Sequence, residues 1–518
     1  MKQAQRTHAM PRTAARMILK KDSRQAMAAT TDMKIPGLFL HGPRALLPAL
    51  AFTLALAALW PAHARAAERN PDAMTVHIHQ LAALGDLRPG GHGAAAARAY
   101  IAQYLKNSGI RDIRELKTTA VCHDPGQWFL EVSDSRNAWY KHESFWMPGS
   151  PATSLDGAQG RPVYVRDGAD IGQYDLQGRV VVFDAVMPRL PARALQDIVF
   201  DPQATLGPRR EDALAAAPVN LARIFEFAEK KQAAAVAGLL SDFPYDAAAF
   251  FAEPRPGVPA PPVPMVWVPR AAARILLDEI LRQRVETIRV VSTGSQAQCA
   301  DGAVAAFVPG RTDRWILVRA HFDGPFAGAA RDASGAAVAL ELAAHFAAPG
   351  APRLEHGLVF LFSAPHPGGR HPADLLAAAT PDLLKKIRLD LAIGRLGLDC
   401  EDKRDGLTCS ALPAPRAAVT ERLSPAAAAA LMQIIQKHTL VRTAVIDRGS
   451  PPPAISADLL ETLTGAYAAA PGIPGIAFNS LPPYIASPED TPDKTAPDQL
   501  DAVAAAFADL LMQLDNLK

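Results

Sequence analysis

The sequence predicts an α/β protein with a mixed, mainly parallel central sheet covered by helices on both faces, and a smaller inserted α/β domain. After about residue 300, apolar strands alternate with helices, and the stretch from 150 to 285 has a strand–helix pattern of its own. The 518 residues suffice for two or three domains, and a hydrophobic share of 49% can form a substantial core. The net charge of +2 argues against nucleic-acid binding, which usually requires a concentrated basic patch.

The N-terminus has the layout of an export signal. An apolar run from Ala45 to Trp60 follows Lys34 and Arg44 and ends in the small residues of Ala62–Ala66. A basic flank, an apolar stretch and an A-x-A-like site are typical of a secretory signal, so we expect export to the periplasm or the cell exterior. The alternative is an uncleaved anchor, but the run is shorter than the ~20 residues of a spanning helix. Met33 gives a signal of more usual length and is predicted as the true start.

The four cysteines predict disulfides. No C-x-x-C motif occurs, so a zinc–thiolate site is not indicated, whereas disulfides are expected in an exported protein. Cys400 and Cys409 flank a polar loop and could close it, which would leave Cys122–Cys299 as the second bridge. Four cysteines allow three pairings, so the sequence leaves the pairing open.

Periodicity gives the secondary-structure elements in chain order. The first part of the chain has a helix and a strand, at Ala94–Leu105 and Trp128–Val132. The segment from 150 to 285 has strands at Arg179–Phe183, Ala233–Leu240 and Met265–Val268, with helices at Asn220–Lys231 and Ala271–Arg282. The last part has strands at Trp315–Ala320, Leu358–Phe362, Ile387–Ile393, Thr443–Ile446 and Gly475–Phe478, with helices at Ser334–Ala347, Pro425–Lys437 and Asp498–Leu514. Continuous apolar strands between helices indicate a sheet covered on both faces.

Four segments fall where functional sites form in such sheets, beyond the ends of strands. They are Ala320–Asp323, Arg331–Gly335, Phe362–Gly368 and Tyr484–Thr491. In these segments the chain resembles the M28 family of zinc aminopeptidases. Typical of that family are Phe307-Val308-Pro309-Gly310 followed by a strand and His-x-Asp, then Asp-x-Ser-Gly opening a helix, and Ser-x-x-Asp-Thr near the end.

The resemblance covers about residues 74–145 and 295–512, and the stretch from 150 to 285 looks like the protease-associated (PA) domain that many such proteins carry. It implies a zinc-aminopeptidase-like fold. The predicted domains are the N-terminal extension and signal peptide (1–66), the first part of the peptidase-like domain (67–149), the PA-like insertion (150–285) and the peptidase-like core (286–518).

The family pattern implies a two-zinc centre. Two-zinc hydrolysis needs metals about 3.5–4 Å apart and a base that activates water. The resemblance supplies these as a His, a bridging Asp, the second Glu of a Glu-Glu pair, an Asp and a late His, with the first Glu as general base. His321 matches the first ligand, and Asp323 matches the acid that orients it. The alternative is that both residues simply cap a buried strand.

The other positions of the pattern are substituted. Arg331 holds the bridging position, and Asp332 follows one residue late, about 100° further round a helix. The alternative role of Asp332 is a helix N-cap, where Asp is favoured. We hypothesise that Arg331 fills the vacated metal space and pairs with Asp323 or Asp390, since a guanidinium group can form two parallel hydrogen bonds to one carboxylate.

The Glu-Glu pair falls on Pro365 and His366, and proline cannot act as the general base. His366 could bind zinc through a ring nitrogen, as could His371, although both could be ordinary loop residues. The next Asp of the pattern falls on Leu391; Asp390 is adjacent but points to the opposite face of a strand. The late His falls on Ala486. The candidate metal ligands are therefore His321, His366, Asp390 and Asp332.

These substitutions predict a non-catalytic, exported binding or scaffold protein of the peptidase-like fold. Loss of a general base alone typically lowers a rate by about 10²–10⁴. We expect no cofactor, a peptide or protein ligand in the cleft or the PA-like domain, no nucleic acid, and no membrane contact beyond the signal segment. The alternative is a metal-dependent aminopeptidase or amide hydrolase with a rebuilt or single-zinc site, which would require zinc.

Overall fold

The computed structural model describes residues 71–190, 198–206, 212–214, 216–251, 259–364, 372–403, 406–453, 455–464, 467–480 and 482–516. All of them lie in the second of two compact units, Ala64–Lys518. The first unit, Met1–His63, lies outside the described residues, and so does the predicted export signal. Within the described ranges, no helix is both long enough and apolar enough to cross a membrane.

The described helices are α1 (Pro71–Ala83), α2 (Ala94–Asn107), α3 (Leu221–Lys230), α4 (Arg270–Leu281), α5 (Ser334–Ala347), α6 (Pro372–Ala379), α7 (Leu383–Lys386), α8 (Pro425–Lys437), α9 (Ala457–Thr464) and α10 (Pro497–Asp515). The strands are β1 (Asp112–Asp124), β2 (Trp128–Ser133), β3 (Trp139–His142), β4 (Phe145–Trp146), β5 (Ala158–Gly160), β6 (Pro162–Tyr164), β7 (Val180–Asp184), β8 (Arg189–Leu190), β9 (Val199–Phe200), β10 (Asp212–Ala213), β11 (Ala235–Leu239), β12 (Met265–Val268), β13 (Thr287–Ser292), β14 (Ser295–Val308), β15 (Trp315–His321), β16 (Gly357–Ser363), β17 (Ile387–Ile393), β18 (Leu398–Lys403), β19 (Gly406–Pro413), β20 (Arg416–Glu421), β21 (Thr443–Asp447) and β22 (Gly475–Ser480).

The large sheet has nine strands in the order β1-β14-β16-β15-β17-β22-β20-β21-β9. Its middle is parallel, since β15 pairs in parallel with both β16 and β17, and β17 pairs in parallel with β22. The pairs β1–β14, β14–β16, β20–β22 and β21–β9 are antiparallel. The sheet is therefore mixed, as predicted, with its parallel strands concentrated where the carboxyl ends can form a site.

Helices cover both faces of this sheet. On one face, α1, α2, α5, α8 and α10 form an apolar cluster with Val318, Phe360 and Leu391 of the central strands. On the other face, α6 and α7 pack with Leu317 and its neighbours, and α9 packs further along the same face. The continuous apolar strands that predicted two-sided burial are confirmed in this role.

A smaller layered unit is built from two further sheets, β4-β12-β11-β7-β6 and β3-β2-β13-β5. An apolar cluster joins these two sheets and α4, and a second cluster packs α3 against the other face of the five-stranded sheet. The strands of this unit begin at Trp128 and end at Ser292. Two residues from the far end of the chain, Ile485 and Ala486, belong to the cluster around α3.

Both predicted disulfides are confirmed. Cys122 bonds to Cys299 between the paired strands β1 and β14. Cys400 bonds to Cys409, directly opposite each other in the β18–β19 hairpin. The polar loop that suggested this second bridge is thus a β-hairpin closed by its own disulfide.

Candidate active site

The candidate site lies at the carboxyl ends of the central parallel strands. His321 is the last residue of β15, and it pairs in register with Ser363 at the end of β16. The His321 ring is buried, with Nδ1 3.2 Å from the Ser363 carbonyl oxygen, and it lies nearly perpendicular to the Tyr467 ring, with the ring centroids 4.5 Å apart. Its Nε2 has no hydrogen-bond partner among the described residues. Burial, followed by the nearby guanidinium groups, holds the pKa of His321 well below its usual range, so its imidazole is neutral.

Asp390 is held by a buried arginine that the sequence analysis did not single out. Arg319 Nε donates to Asp390 Oδ1 at 2.7 Å, and the backbone N–H of Ala470 donates to Asp390 Oδ2 at 2.8 Å. The Arg319 guanidinium also donates to the carbonyl oxygens of Tyr467 (3.3 Å) and Ala468 (2.7 Å). Both oxygens of Asp390 are therefore engaged, and its ion-pair partner is Arg319 rather than the expected Arg331.

Strand geometry explains this pairing. Leu317 stands opposite Asp390 in the β15–β17 register, so Arg319, two residues further along, shares a face with Asp390. The signal in the sequence was a single arginine within the apolar run of β15, because a buried charge needs a partner. Asp390 supplies that partner.

Arg331 and Asp332 lie in a π-helical turn, Ala329–Ala333, that directly precedes α5. Arg331 Nη1 lies 3.4 Å from Asp332 Oδ2, and both side chains are buried. The residue at the N-cap of α5 is Ala333, so the N-cap role considered for Asp332 is wrong. The reason is that the helical backbone begins one turn earlier than the sequence pattern suggested, in a π-turn of the kind often found at functional sites.

Asp490 takes over the capping of this turn. Its carboxylate accepts hydrogen bonds from the backbone N–H groups of Ala330 (2.7 Å) and Arg331 (3.1 Å). Full burial raises the pKa of Asp490 to about 7, although the two backbone donors lower it. The Asp of the Ser-x-x-Asp-Thr motif therefore anchors the segment that carries Arg331.

The loop after β15 and the π-turn lie against each other. A methyl group built on Gly324 would lie 2.9 Å from Asp332 Oδ2 and 3.8 Å from Arg331 Nη1. Asp323, next to Gly324, is buried, and both it and Asp332 act to raise the pKa of Tyr467. The structure thus gathers His321, Asp323, Arg331 and Asp332 at one place, while Asp390 is turned toward Arg319.

Close backbone contacts at Gly335 determine the position of the start of α5. A methyl group on Gly335 would lie 2.5 Å from the carbonyl oxygen of Ile393 and 2.6 Å from the Cα of Gly394. The start of α5 is therefore pressed against the carboxyl end of β17. The glycine of Asp-x-Ser-Gly is explained by this approach of two backbones rather than by a ligand.

The described residues do not fit a two-zinc centre. Within the described ranges, no group of three or more His, Cys, Asp or Glu side chains could hold a metal ion. Arg331, a cation, holds the position that the resemblance assigns to the bridging carboxylate. Ala486, at the position that the resemblance assigns to the late His, is buried and has a left-handed backbone (φ 60°) and a side chain without ligand atoms. The candidates Pro365, His366 and His371 lie outside the described residues.

The architecture is that of the zinc-aminopeptidase-like α/β proteins: a mixed sheet with a His-x-Asp strand end facing an Asp-x-Ser-Gly helix start. Residues 303–369 match the profile of Peptidase family M28. This match and the solved structures described next confirm the resemblance to family M28 that the sequence predicted.

Three solved structures share the fold over most of the chain. An aminopeptidase from Aneurinibacillus sp. strain AM-1 is 19% identical, with a TM-score of 0.57, over 86% of this chain and 94% of that one. A peptidase M28 precursor from Shewanella amazonensis SB2B is 16% identical, with a TM-score of 0.61, over 91% and 97%. A zinc aminopeptidase from Bacillus subtilis is 12% identical, with a TM-score of 0.57, over 87% and 97%. A search of curated proteins finds no match.

Proposed function

We propose that this chain is an exported, non-catalytic relative of the M28 peptidases that uses the peptidase fold for binding. The observation that carries this proposal is the Arg319–Asp390 pair, in which both carboxylate oxygens are already bonded within the protein. Asp390 is 1% exposed and its negative charge already balances a buried guanidinium, so binding a metal ion as well would leave the Arg319 charge poorly compensated. The second supporting observation is Arg331, whose positive charge stands where the family pattern has a bridging carboxylate and would repel Zn²⁺.

Export is supported by two observations. The two disulfides are typical of proteins that fold in an oxidising compartment. The N-terminal sequence has the layout of a signal peptide. N-terminal sequencing of the secreted protein tests the proposal, and a mature N-terminus near Ala66 is the expected result.

Metal content and activity test the non-catalytic proposal. Zinc per chain is measured by elemental mass spectrometry on protein purified without chelator and briefly offered zinc. We expect near zero, together with no release of amino acids from aminopeptidase substrates. One or two tightly held zinc ions with chelator-sensitive hydrolysis would contradict the proposal.

The variant Arg331→Asp tests the site-filling role of the arginine. It restores a carboxylate at the bridging position and places it beside Asp332, so we expect zinc uptake to rise and the free energy of unfolding without zinc to fall. The exposed Arg311→Asp is the matched control and should change neither quantity. If Arg331→Asp also leaves both unchanged, Arg331 does not fill the metal space.

The second candidate function is metal-dependent hydrolysis with a single or rebuilt site. It is favoured by His321 Nε2, a buried nitrogen of a neutral imidazole without a hydrogen-bond partner among the described residues. In this second function the candidate ligands are His321, His366, Asp390 and Asp332, of which His366 lies outside the described residues. A His321→Ala variant that loses both bound zinc and hydrolysis would support this second function.

We further propose that the ligand is a peptide or protein, bound in the cleft or on the smaller unit, which we take to be PA-like. Binding of fluorescent peptide mixtures by the intact protein tests this. Saturable binding that weakens in Arg331→Asp places the ligand in the cleft, and saturable binding unaffected by that variant places it elsewhere. Absence of saturable binding contradicts the peptide ligand.

A further inference from the structure

A small recess of about 10 Å³, room for about one water-sized group, lies between the segment after β17 and the start of α10. Its walls are mostly apolar, and Arg416 is the one charged residue among those described around it. The lining residues are Leu396, Gly397, Leu398, Pro413, Arg416, Ala496, Gln499, Leu500 and Val503.

Arg416 is a buried cation without a counter-ion among the described residues. It is 4% exposed, its Nη2 donates to the carbonyl oxygen of Val441 at 2.7 Å, and its Nε is buried without a hydrogen-bond partner. The neighbouring charge that acts on it is a like charge, Arg442, whose own guanidinium pairs with Asp399 at 2.6 Å. Burial and, less strongly, Arg442 lower the pKa of Arg416 to about 9. An uncompensated buried charge is costly, so an anion beside Arg416 would be stabilising.

The N-terminus of α10 adds to the positive potential. This helix has 19 residues, and Ala496, at its N-cap, lines the recess together with Gln499 and Leu500 of the first turn. The N-terminal end of a helix carries a partial positive charge and favours anions. Here the contribution is that of the helix dipole alone, because the N–H groups of Gln499 and Leu500 both donate to the Ala496 carbonyl oxygen, at 3.0 and 3.2 Å. Asp498 in the same turn is exposed and does not line the recess, so none of the described lining residues carries a carboxylate.

We propose that this recess binds a monovalent anion of halide size, held between the Arg416 guanidinium and the N-terminus of α10. The walls of Leu396, Leu500 and Val503 cannot replace a tightly held hydration shell, which disfavours fluoride, and the small volume of the recess disfavours iodide, so chloride suits the site best. A small carboxylate such as formate shares the charge and the hydrogen-bonding ability and is compared in the same experiment.

The anion would stabilise a segment that is hydrogen-bonded to the candidate site. Leu396, which lines the recess, donates its backbone N–H to Ser334 Oγ at 3.0 Å, and the preceding Arg395 donates its backbone N–H to the carbonyl oxygen of Arg331 at 3.2 Å. Anion binding therefore stabilises the segment on which the π-turn rests. This role is independent of whether the cleft is catalytic.

Thermal unfolding of the whole protein in sodium chloride and in sodium gluconate at equal ionic strength tests the proposal. We expect a saturable rise in Tm of about 3 °C at a hundredfold excess of chloride over its Kd. Bromide should act more weakly than chloride, and iodide and fluoride should have no saturable effect. A response to formate but not to halides would assign the recess to carboxylates and overturn the halide site. Equal Tm values in chloride and gluconate would overturn the proposal altogether.

Two variants separate this site from a general salt effect. Arg416→Met should lose the chloride response. Gln499→Glu places a carboxylate in the recess and should also lose the response, with a higher Tm in gluconate than the wild type has. Gln513→Glu makes the same charge change at the far end of α10 and should keep the response. If Arg416→Met does not fold, Gln499→Glu decides; a full chloride response in Gln499→Glu contradicts the site.

Discussion

Asp390→Asn removes the charge that balances Arg319 and keeps the side-chain shape. Both residues are 1% exposed, so water cannot replace the lost carboxylate. The amide oxygen of Asn can still accept from the backbone N–H of Ala470, and Arg319 keeps its two backbone carbonyl acceptors. What changes is the charge balance, and a cation is left in the interior beside a neutral amide.

Removal of one partner from a buried ion pair costs about 3–5 kcal/mol, because the other charge stays buried and uncompensated. We expect this loss in the free energy of unfolding for Asp390→Asn, and a similar loss for Arg319→Met. The double variant removes both charges and should be less destabilised than either single variant, with a coupling energy of about 3 kcal/mol or less.

Urea unfolding followed by circular dichroism measures these free energies, provided that the slopes of the unfolding curves stay the same. The control is Asp278→Asn, which breaks the exposed pair Arg282–Asp278 and should cost about 0.5 kcal/mol or less. If Asp390→Asn costs no more than that control, the carboxylate is not committed to Arg319. Asp390 would then be free to bind a metal, and the non-catalytic proposal would lose its main support.

Three other perturbations have defined outcomes. Burial raises the pKa of Asp490 to about 7, so the folded protein keeps this proton at pH values where the unfolded chain has lost it. The free energy of unfolding should therefore fall as pH rises from about 4 through 7. Asp490→Asn should remove this fall, as measured by unfolding across the same pH range. Gly335→Ala should cost about 1–3 kcal/mol because its methyl group meets backbone atoms of the β17 end, whereas Gly449→Ala, whose methyl group would meet only the Asp447 carboxylate at an ordinary 3.6 Å, should cost less than about 1 kcal/mol. Replacing both Cys122 and Cys299 by Ala should cost about 5 kcal/mol, since this bridge closes a 177-residue separation, compared with about 3 kcal/mol for the nine-residue hairpin bridge.

The large-scale fold was predictable because buried strands and helices have recognisable patterns of apolar residues. Runs such as Leu358–Phe362 have no polar residue, and only a strand covered on both faces tolerates that. Six of the helices, α2, α3, α4, α5, α8 and α10, were predictable for the same reason, as their apolar positions recur with helical period. The short strands β8, β9 and β10 were not predicted, because two residues give no periodicity. The helices α6, α7 and α9 and the longer strands β1, β14 and β20 were missed as well.

The site was predicted in part. The positions of His321 and Asp323 at a strand end followed from the resemblance, and the structure gathers them with Arg331 and Asp332. The ion-pair partner of Asp390 was missed because ion pairing depends on which strands are neighbours in the sheet, and the local sequence does not determine the order of the strands. The π-turn was missed because its hydrogen-bond pattern adds a residue to a turn without changing the apolar pattern around it.

The contact of Ile485 and Ala486 with the apolar cluster around α3 has a consequence for the evolution of this chain. A domain that is gained or lost in one step needs a core built from its own residues alone. The core of the smaller unit is not built in this way. Its core includes side chains from the segment in which the resemblance expects a zinc ligand, so deleting the unit would expose them to solvent. The two parts are therefore coupled through this contact, and a substitution at Ile485 or Ala486 is constrained by the packing of the smaller unit.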